Sequence, residues 1–315
     1  MFTPFNSFIG GLLIFMSAFN LDFMNGRTLG ISGIISTIFF GKLEKWRFYF
    51  ILGNILAAII MNLLNSNIIN NIMFINHENI IKYIISGFLI GYGSKTGNGC
   101  TSGHMICGIS RLSKRSITAS ICFFITGTIT NYIFNKNNIE NIDKFDFDKN
   151  ITVLILITCF FTFYLINKFI NNNKYGINLC SFFSGFYFSI GLIFSGMYNP
   201  KKVLGFLNFI YPDIWDPSLF MVILGGLLPN LLFHQFYLKN KSKPVYDVKF
   251  YLPDKKDIDI KLILGSFIFG IGWGLNGICP GPAIVLLFTK ISFNIIIFWL
   301  FLLIGMFTSI NIYSI

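Results

Sequence analysis

Apolar stretches of about twenty residues recur along the whole chain, and no other feature restricts the fold as much. A helix needs about 20 largely apolar residues to cross a bilayer. Nine stretches qualify, at 7–24, 47–65, 79–96, 116–135, 150–170, 177–196, 218–238, 259–276 and 292–313. Backbone inside lipid must pair its own N–H and C=O groups, so the stretches are read as helices. The fold class expected is an all-α polytopic membrane protein. Only 12% of the 315 residues are charged, about half the share in a soluble domain. A net charge of +11 would suggest nucleic acid in a soluble chain. Here topology explains the cations, and no nucleic-acid partner is expected. The first stretch has neither the charged lead nor the small-residue cleavage site of a signal peptide, and is read as a retained helix.

Four shorter pieces marked by Gly or Pro lie between the stretches, at 27–40, 101–112, 201–210 and 280–290. They are too short to span and are expected to be re-entrant half-helices. An odd number of spans puts the termini on opposite faces. One set of alternate loops collects fifteen Lys and Arg, the other seven. Positive loops stay in the cytoplasm, so the N-terminus is expected outside and the C-terminus inside. On this reading Arg111, Lys114 and Arg115 are topology determinants, and the charged loop 239–261 is a solvated cytoplasmic connector.

The second half of the chain echoes the first. "GYGSKTGNGC" from Gly91 matches "GIGWGLNGIC" from Gly270, with Gly91 and Gly270, Gly93 and Gly272, and Cys100 and Cys279 all 179 residues apart. Upstream, "NGRTLGI" from Asn25 matches "NPKKVLGF" from Asn199, and "GGLLIF" at Gly10 resembles "SIGLIF" at Ser189. The first copy begins at the first span and the second at the sixth, so the copies have opposite orientation. The expectation is one membrane domain, 1–315, with repeat one over 7–135, a linking helix at 150–170 and repeat two over 177–313. Inverted repeats hold substrate near the midplane, where broken helices meet. The glycines are expected to break the helices there and expose backbone N–H groups.

A short helix is expected after each cysteine, with Thr101 and Ser102 as N-caps of one and Pro280 and Pro282 in the first turn of the other. Helix N-termini favour anions. A thiol beside each N-terminus describes a path for a small anion carrying soft sulfur. The candidate contacts are Lys95, Gly99, Cys100, Thr101, Ser102, Gly103, His104, Cys279, Pro280 and Gly281, with Asn25 and Arg27 from the upstream element. Competing readings stand beside these. Cys122, Cys159 and Cys180 read as small core hydrophobes, and Cys107 fits either role. His104 lies four residues after Cys100, yet two ligands are too few for a metal. An intramembrane Lys95 is functional by default, or snorkels.

"GNGCTSGHMICGISRLSKRS", "GMYNPKKVLGFLNFIYPDIWDPSLF" and "GWGLNGICPGPAIV" closely resemble the YeeE/YedE sulphur-transport family, which includes bacterial thiosulfate uptake proteins. The resemblance implies a multi-pass cell inner membrane transporter with re-entrant half-helices and thiosulfate contacts at Cys100 and Cys279. It implies no cofactor, and a small cytosolic sulfur-carrier protein as partner. Met105 stands where the family commonly has Gly, and no cysteine precedes Cys100. A three-cysteine relay is therefore not carried over. The reading is a transporter of thiosulfate or a related sulfur anion, not an enzyme. Its rivals are a membrane sulfurtransferase with a Cys100 persulfide and a passive small-anion channel.

Overall fold

The computed structural model describes residues 2–64, 80–135, 147–169, 173–211 and 214–313. The expected span ends at 65, 79 and 170 lie outside them. Helix α1 (Pro4–Phe19) runs on into a wider π turn, Asn20–Met24. Short α2 (Ile31–Phe40) precedes α3 (Lys45–Leu64) and α4 (Ile80–Thr96). The π-wound α5 (Ser102–Gly108) leads to α6 (Lys114–Asn135), α7 (Lys149–Phe169) and α8 (Asn173–Ser195). Short α9 (Pro200–Leu207) comes before α10, continuous through Ser218–Val222, a π turn at Ile223–Leu227, and Leu228–Phe236. Then come α11 (Ile260–Asn276), short α12 (Pro280–Thr289) and α13 (Phe293–Tyr313). No strand occurs among the described residues.

Eight stretches among the described residues are long and apolar enough to cross a membrane, α11 and α12 together forming one of thirty residues. The helix expected at 79–96 has seventeen described residues and falls just short of that length. The termini have local causes. Asn199 caps α9 by accepting the Lys201 N–H at 3.0 Å, and Asp259 caps α11 by accepting that of Leu262 at 3.0 Å. Pro200 and Pro280 open α9 and α12, positions where a missing N–H costs nothing. Gly277 ends α11 at φ +68°, in the left-handed region.

The four short helices share one disposition: each begins at or beside a buried residue, and exposed residues lie at or just beyond its other end. Ile31, Ser102, Pro280 and the Asn199 cap of α9 are buried, whereas Phe39 near the end of α2, and Leu112, Phe209 and Ile291 just beyond α5, α9 and α12, are exposed. The long helices exchange partners between the halves. α1 lies on α8, and α4 on α11; α3 packs on α8 as α10 packs on α1; α13 packs on α4 as α6 packs on α11. α7 sits at the periphery, with Leu154, Ile157 and Phe161 more than half exposed.

Gly91 and Gly93, expected to break their helix, lie inside an unbroken α4; the break falls at 97–100, with Asn98 at φ +59°. These glycines permit close packing instead. A methyl group on Gly91 would stand 2.0 Å from the Leu302 carbonyl oxygen of α13, and one on Gly270 2.6 Å from the Phe123 carbonyl oxygen of α6. On Gly93 it would meet Phe269 of α11 at 2.4 Å, and on Gly272 Ser86 of α4 at 2.9 Å. Small residues let membrane helices approach closely where apolar side chains gain nothing over lipid. Asparagines add polar ties. Asn20 donates to Cys180 O at 2.9 Å, Asn131 to Leu204 O at 2.9 Å, and Asn230 to Ile106 O at 3.1 Å.

Gly91→Val is expected to destabilise the fold by at least about 3 kcal/mol through overpacking. Gly30→Ala, where the added methyl meets nothing within 4 Å, should leave it intact. Thermal melts of the two detergent-purified variants check this, and equal melting would contradict the packing described.

Candidate functional site

Cys100 and Cys279 close the two breaks, and the fold brings them to one place. Both are buried and line the same cavity of about 50 Å³. Thr101, Ser102, Met105, Pro280 and Gly281 line it too, and apolar groups such as Ile14, Phe188 and Val222 complete the wall. Thr101 Oγ1 donates to Cys279 Sγ at 3.5 Å, so a side chain of one half touches the cysteine of the other. Cys100 Sγ lies 3.3 Å from Ser102 Oγ.

The two hydroxyls do not cap their own helix. Thr101 already has helical backbone angles, φ −53° and ψ −41°, and makes no capping bond. Ser102 Oγ instead accepts the Ile31 N–H of α2 at 3.2 Å, an amide that opens a helix and has no intrahelical acceptor. The N-terminus of α12 presents fewer donors than expected. Pro280 and Pro282 have no N–H, and the Ala283 N–H is bonded to Cys279 O at 3.0 Å. Gly281 supplies the remaining first-turn donor.

Trp273 also lines this cavity and was not among the expected contacts. It is buried, and its Nε1 has no hydrogen-bond partner among the described residues. Its benzo edge lies against α6, 3.1 Å from where a Gly127 methyl would stand, so the N–H edge faces away from that helix. Phe123 packs on the ring edge-to-face, with centroids 5.9 Å apart.

The remaining expected contacts line a second cavity of about 450 Å³: Arg27, Lys95, Gly99, Gly103 and His104. Asn25 lies in neither cavity. It ties the end of α1 to α8, donating to Ile177 O at 2.9 Å and Ser181 Oγ at 2.8 Å. His104 is a positioning group. Its Nε2 donates to Gly97 O at 3.1 Å, and its Nδ1 pairs with Ser116 Oγ at 3.1 Å. Gly99 makes room for that ring, since a methyl there would stand 2.7 Å from Nε2. Among the described residues no three His, Cys, Asp or Glu gather as metal ligands.

Three further groups of this second cavity depart from their expected roles. Arg111 and Arg115, expected only as topology determinants, line it. The 239–261 loop, expected as a solvated connector, forms its rim through Tyr251, Pro253 and Lys255. Charge explains the docking. Asp247 pairs with Arg27 at 3.0 Å, Tyr251 stacks 3.6 Å from the Arg27 guanidinium, and Asp259 pairs with Arg115 at 3.1 Å and Lys255 at 2.7 Å. The Lys255 bond leads the causes that hold the Asp259 carboxyl below the ordinary carboxylate range.

A buried hydrogen-bonded pair was also missed. Asp22, in the π turn after α1, accepts from His234 Nε2 of α10 at 2.9 Å, and both residues are buried. The signal available was a lone acid in the first apolar stretch and a lone histidine in the seventh. Cys159 and Cys180 are buried in the hydrophobic clusters, and Cys107 Sγ donates to Leu29 O at 3.7 Å.

A family model described as sulphur transport matches residues 7–130. A second, described as a family of unknown function, matches residues 177–313. A probable transporter of Xylella fastidiosa strain 9a5c is 43% identical over 109 residues, 35% of this chain and 73% of that protein. The chain belongs to the sulphur-transport family. Another relative, a probable transporter of Xylella fastidiosa strain Temecula1 / ATCC 700964, is 35% identical over 122 residues, 39% of this chain and 88% of that protein. No solved structure matches. Family membership and the apolar helices make this a multi-pass membrane transporter.

Removing one partner of a buried hydrogen-bonded pair strands the other, at a cost of about 1–3 kcal/mol. Asp22→Ala and His234→Ala are each expected to lose that much in a detergent unfolding assay. The double variant should lose less than the sum of the two, because the partners share one interaction.

Proposed function

We propose that the protein takes up thiosulfate, or a related small sulfur-containing anion, through the central cavity. Cys100 and Cys279 meet the substrate's sulfur in succession. One observation carries this reading: two cysteines that match in the internal repeat, 179 residues apart, line one buried cavity at the starts of two short helices.

The chemistry suits a sulfur anion better than a hydrated oxyanion. The wall is mostly apolar, and apolar surroundings penalise ions that bind water strongly. Thiols are weak donors that touch a terminal sulfur without holding it, and weak contacts let a substrate leave. The N-termini of α2, α5 and α12 add partial positive charge. Trp273, in the cavity wall, carries a buried N–H without a partner among the described residues. Met105, in place of the family's Gly, narrows the passage beside Cys100.

The same reading includes nine spans in an inverted repeat with four re-entrant half-helices, the N-terminus outside and the C-terminus in the cytoplasm. The exchanged helix partners support the repeat, as do two family models meeting the chain at 7–130 and 177–313. The larger cavity then opens on the face with more Lys and Arg, the cytoplasmic one. A small cytosolic sulfur carrier is the partner proposed to receive the product.

Uptake of labelled thiosulfate into cells lacking their own uptake routes tests the proposal. Cys100→Ala and Cys279→Ala, at matched expression, should each lose roughly tenfold or more, the effect of about 1.4 kcal/mol. No uptake by the unmodified protein would remove the substrate assignment. Full activity in both variants would remove the cysteine mechanism, and a persulfide on Cys100 would favour sulfur transfer. Chloride or sulfate passing as readily would make the protein a passive channel.

A hydrogen bond to a charged group contributes about 1.5–3 kcal/mol. Trp273→Phe is therefore expected to raise the KM for thiosulfate about tenfold while expression stays unchanged. An unaltered KM would exclude the indole as a substrate contact.

A further inference from the structure

We infer that the larger cavity is a second anion site, which reads charge and not sulfur, and binds a divalent tetrahedral oxyanion such as sulfate or thiosulfate. The inference rests on the transport reading for its purpose, but not for the binding it predicts.

Six cations line this cavity, Arg27, Arg47, Lys95, Arg111, Arg115 and Lys255, against one carboxylate, Glu44. Four of the six are paired in place, by three carboxylates. Arg47 pairs with Glu44 at 2.6 Å, Arg27 with Asp247 at 3.0 Å, and Arg115 and Lys255 with Asp259. Lys95 and Arg111 are different. Their hydrogen bonds go to neutral hydroxyls, Lys95 Nζ to Ser36 Oγ at 3.3 Å and Arg111 to Thr28 Oγ1 at 3.2 Å. Both are partly buried. Partly buried cations sharing a cavity without carboxylate partners repel one another, and an anion relieves that repulsion. A guanidinium also presents two parallel N–H donors to an oxyanion.

The floor of the cavity leaves space for such an ion. A methyl on Gly30 or Gly33 would meet nothing within 4 Å, and one on Gly103 would come no closer than 3.8 Å, to the Gly30 Cα. These glycines are not required by helix packing, unlike Gly91. Their bare backbone lies beside open space under the two cations.

Position makes this a station in series with the cysteines. The wall between the cavities is one turn of chain. Ser102 faces the central cavity while Gly103 faces the larger one, and Ile31 and Gly30 divide the same way. An anion that passes the cysteines leaves weak sulfur contacts for a site where its charge is met.

The test is calorimetric titration of the full-length protein in lipid nanodiscs with sodium sulfate at low ionic strength. Sulfate carries no terminal sulfur, so it probes charge alone. The unmodified protein should bind it, thiosulfate should compete, and raised salt should weaken it. The Lys95→Gln/Arg111→Gln variant should bind at least about tenfold more weakly. Gly33→Ala, which intrudes on the cavity without a clash, should also weaken binding and guards against a misfolded charge variant. The Cys100→Ala/Cys279→Ala variant should bind sulfate as the unmodified protein does. No sulfate binding by the unmodified protein, or binding unchanged in the charge variant and in Gly33→Ala, overturns the site. Loss of sulfate binding in the cysteine variant would place the ion in the central cavity and also overturn it. Failed thiosulfate uptake with sulfate binding intact would count against the transport reading alone.

Discussion

The first turn of a helix leaves N–H groups without acceptors, and a membrane interior offers no water to supply them. Four short helices of this protein begin at or beside buried residues, so each beginning needs a local solution. At α9 the solution is the Asn199 side chain, bonded to the Lys201 N–H. At α2 it comes from a neighbour, since Ser102 Oγ accepts the Ile31 N–H. At α12 two prolines remove the donors, and Cys279 O takes the Ala283 N–H. The donors left over, at Gly281 and at the start of α5, stand beside the two cysteines. The need to satisfy backbone in a dry interior thus concentrates polarity at one point and strips it elsewhere.

Helix breaks in a membrane-spanning fold are tolerated only where protein covers them or a cavity adjoins them. The cover comes from long helices that approach within a methyl group of contact, as α4 does with α13 at Gly91 and with α11 at Gly93. Gly270 and Gly272 make the corresponding approaches to α6 and α4. The same spacing that lets the helices close also carries the likeness between the halves. Two opposite jobs for glycine therefore recur in this chain. Gly91 and its counterparts bring backbones together, whereas Gly30, Gly33 and Gly103 keep a cavity open.

Most of the helical layout was legible in the sequence, because the crossing length and the apolar run are the same physical quantity. The expected stretch 116–135 is α6, Lys114–Asn135, and 292–313 is α13, Phe293–Tyr313. The joining of Cys100 and Cys279 at one cavity was legible too, through the constant offset. What escaped depends on distance in space. Nothing local in Asp247 or Asp259 tells that a loop folds back onto Arg27 and Arg115. Trp273 reads as one more apolar residue until its Nε1 is found without a partner. Thr101 and Ser102 were right as polar residues at a helix start and wrong in their partners, because capping rules look along one helix and these hydroxyls look across to others.

The two cavities differ in what they can distinguish. A narrow apolar space with two thiols and a few N–H groups discriminates through polarizability and desolvation, and it holds nothing firmly. A wide cationic space discriminates through charge and would accept sulfate as readily as thiosulfate. Order therefore decides selectivity. If the charge-reading space came first, it would fill with whichever divalent anion is most abundant and hold it before the thiols. In the proposed orientation it follows the cysteines on the path into the cell, receives only what the sulfur-reading space has passed, and does no harm by its lack of discrimination. On that argument, with the larger cavity on the face richer in Lys and Arg, the asymmetry between the two cavities fits import better than export.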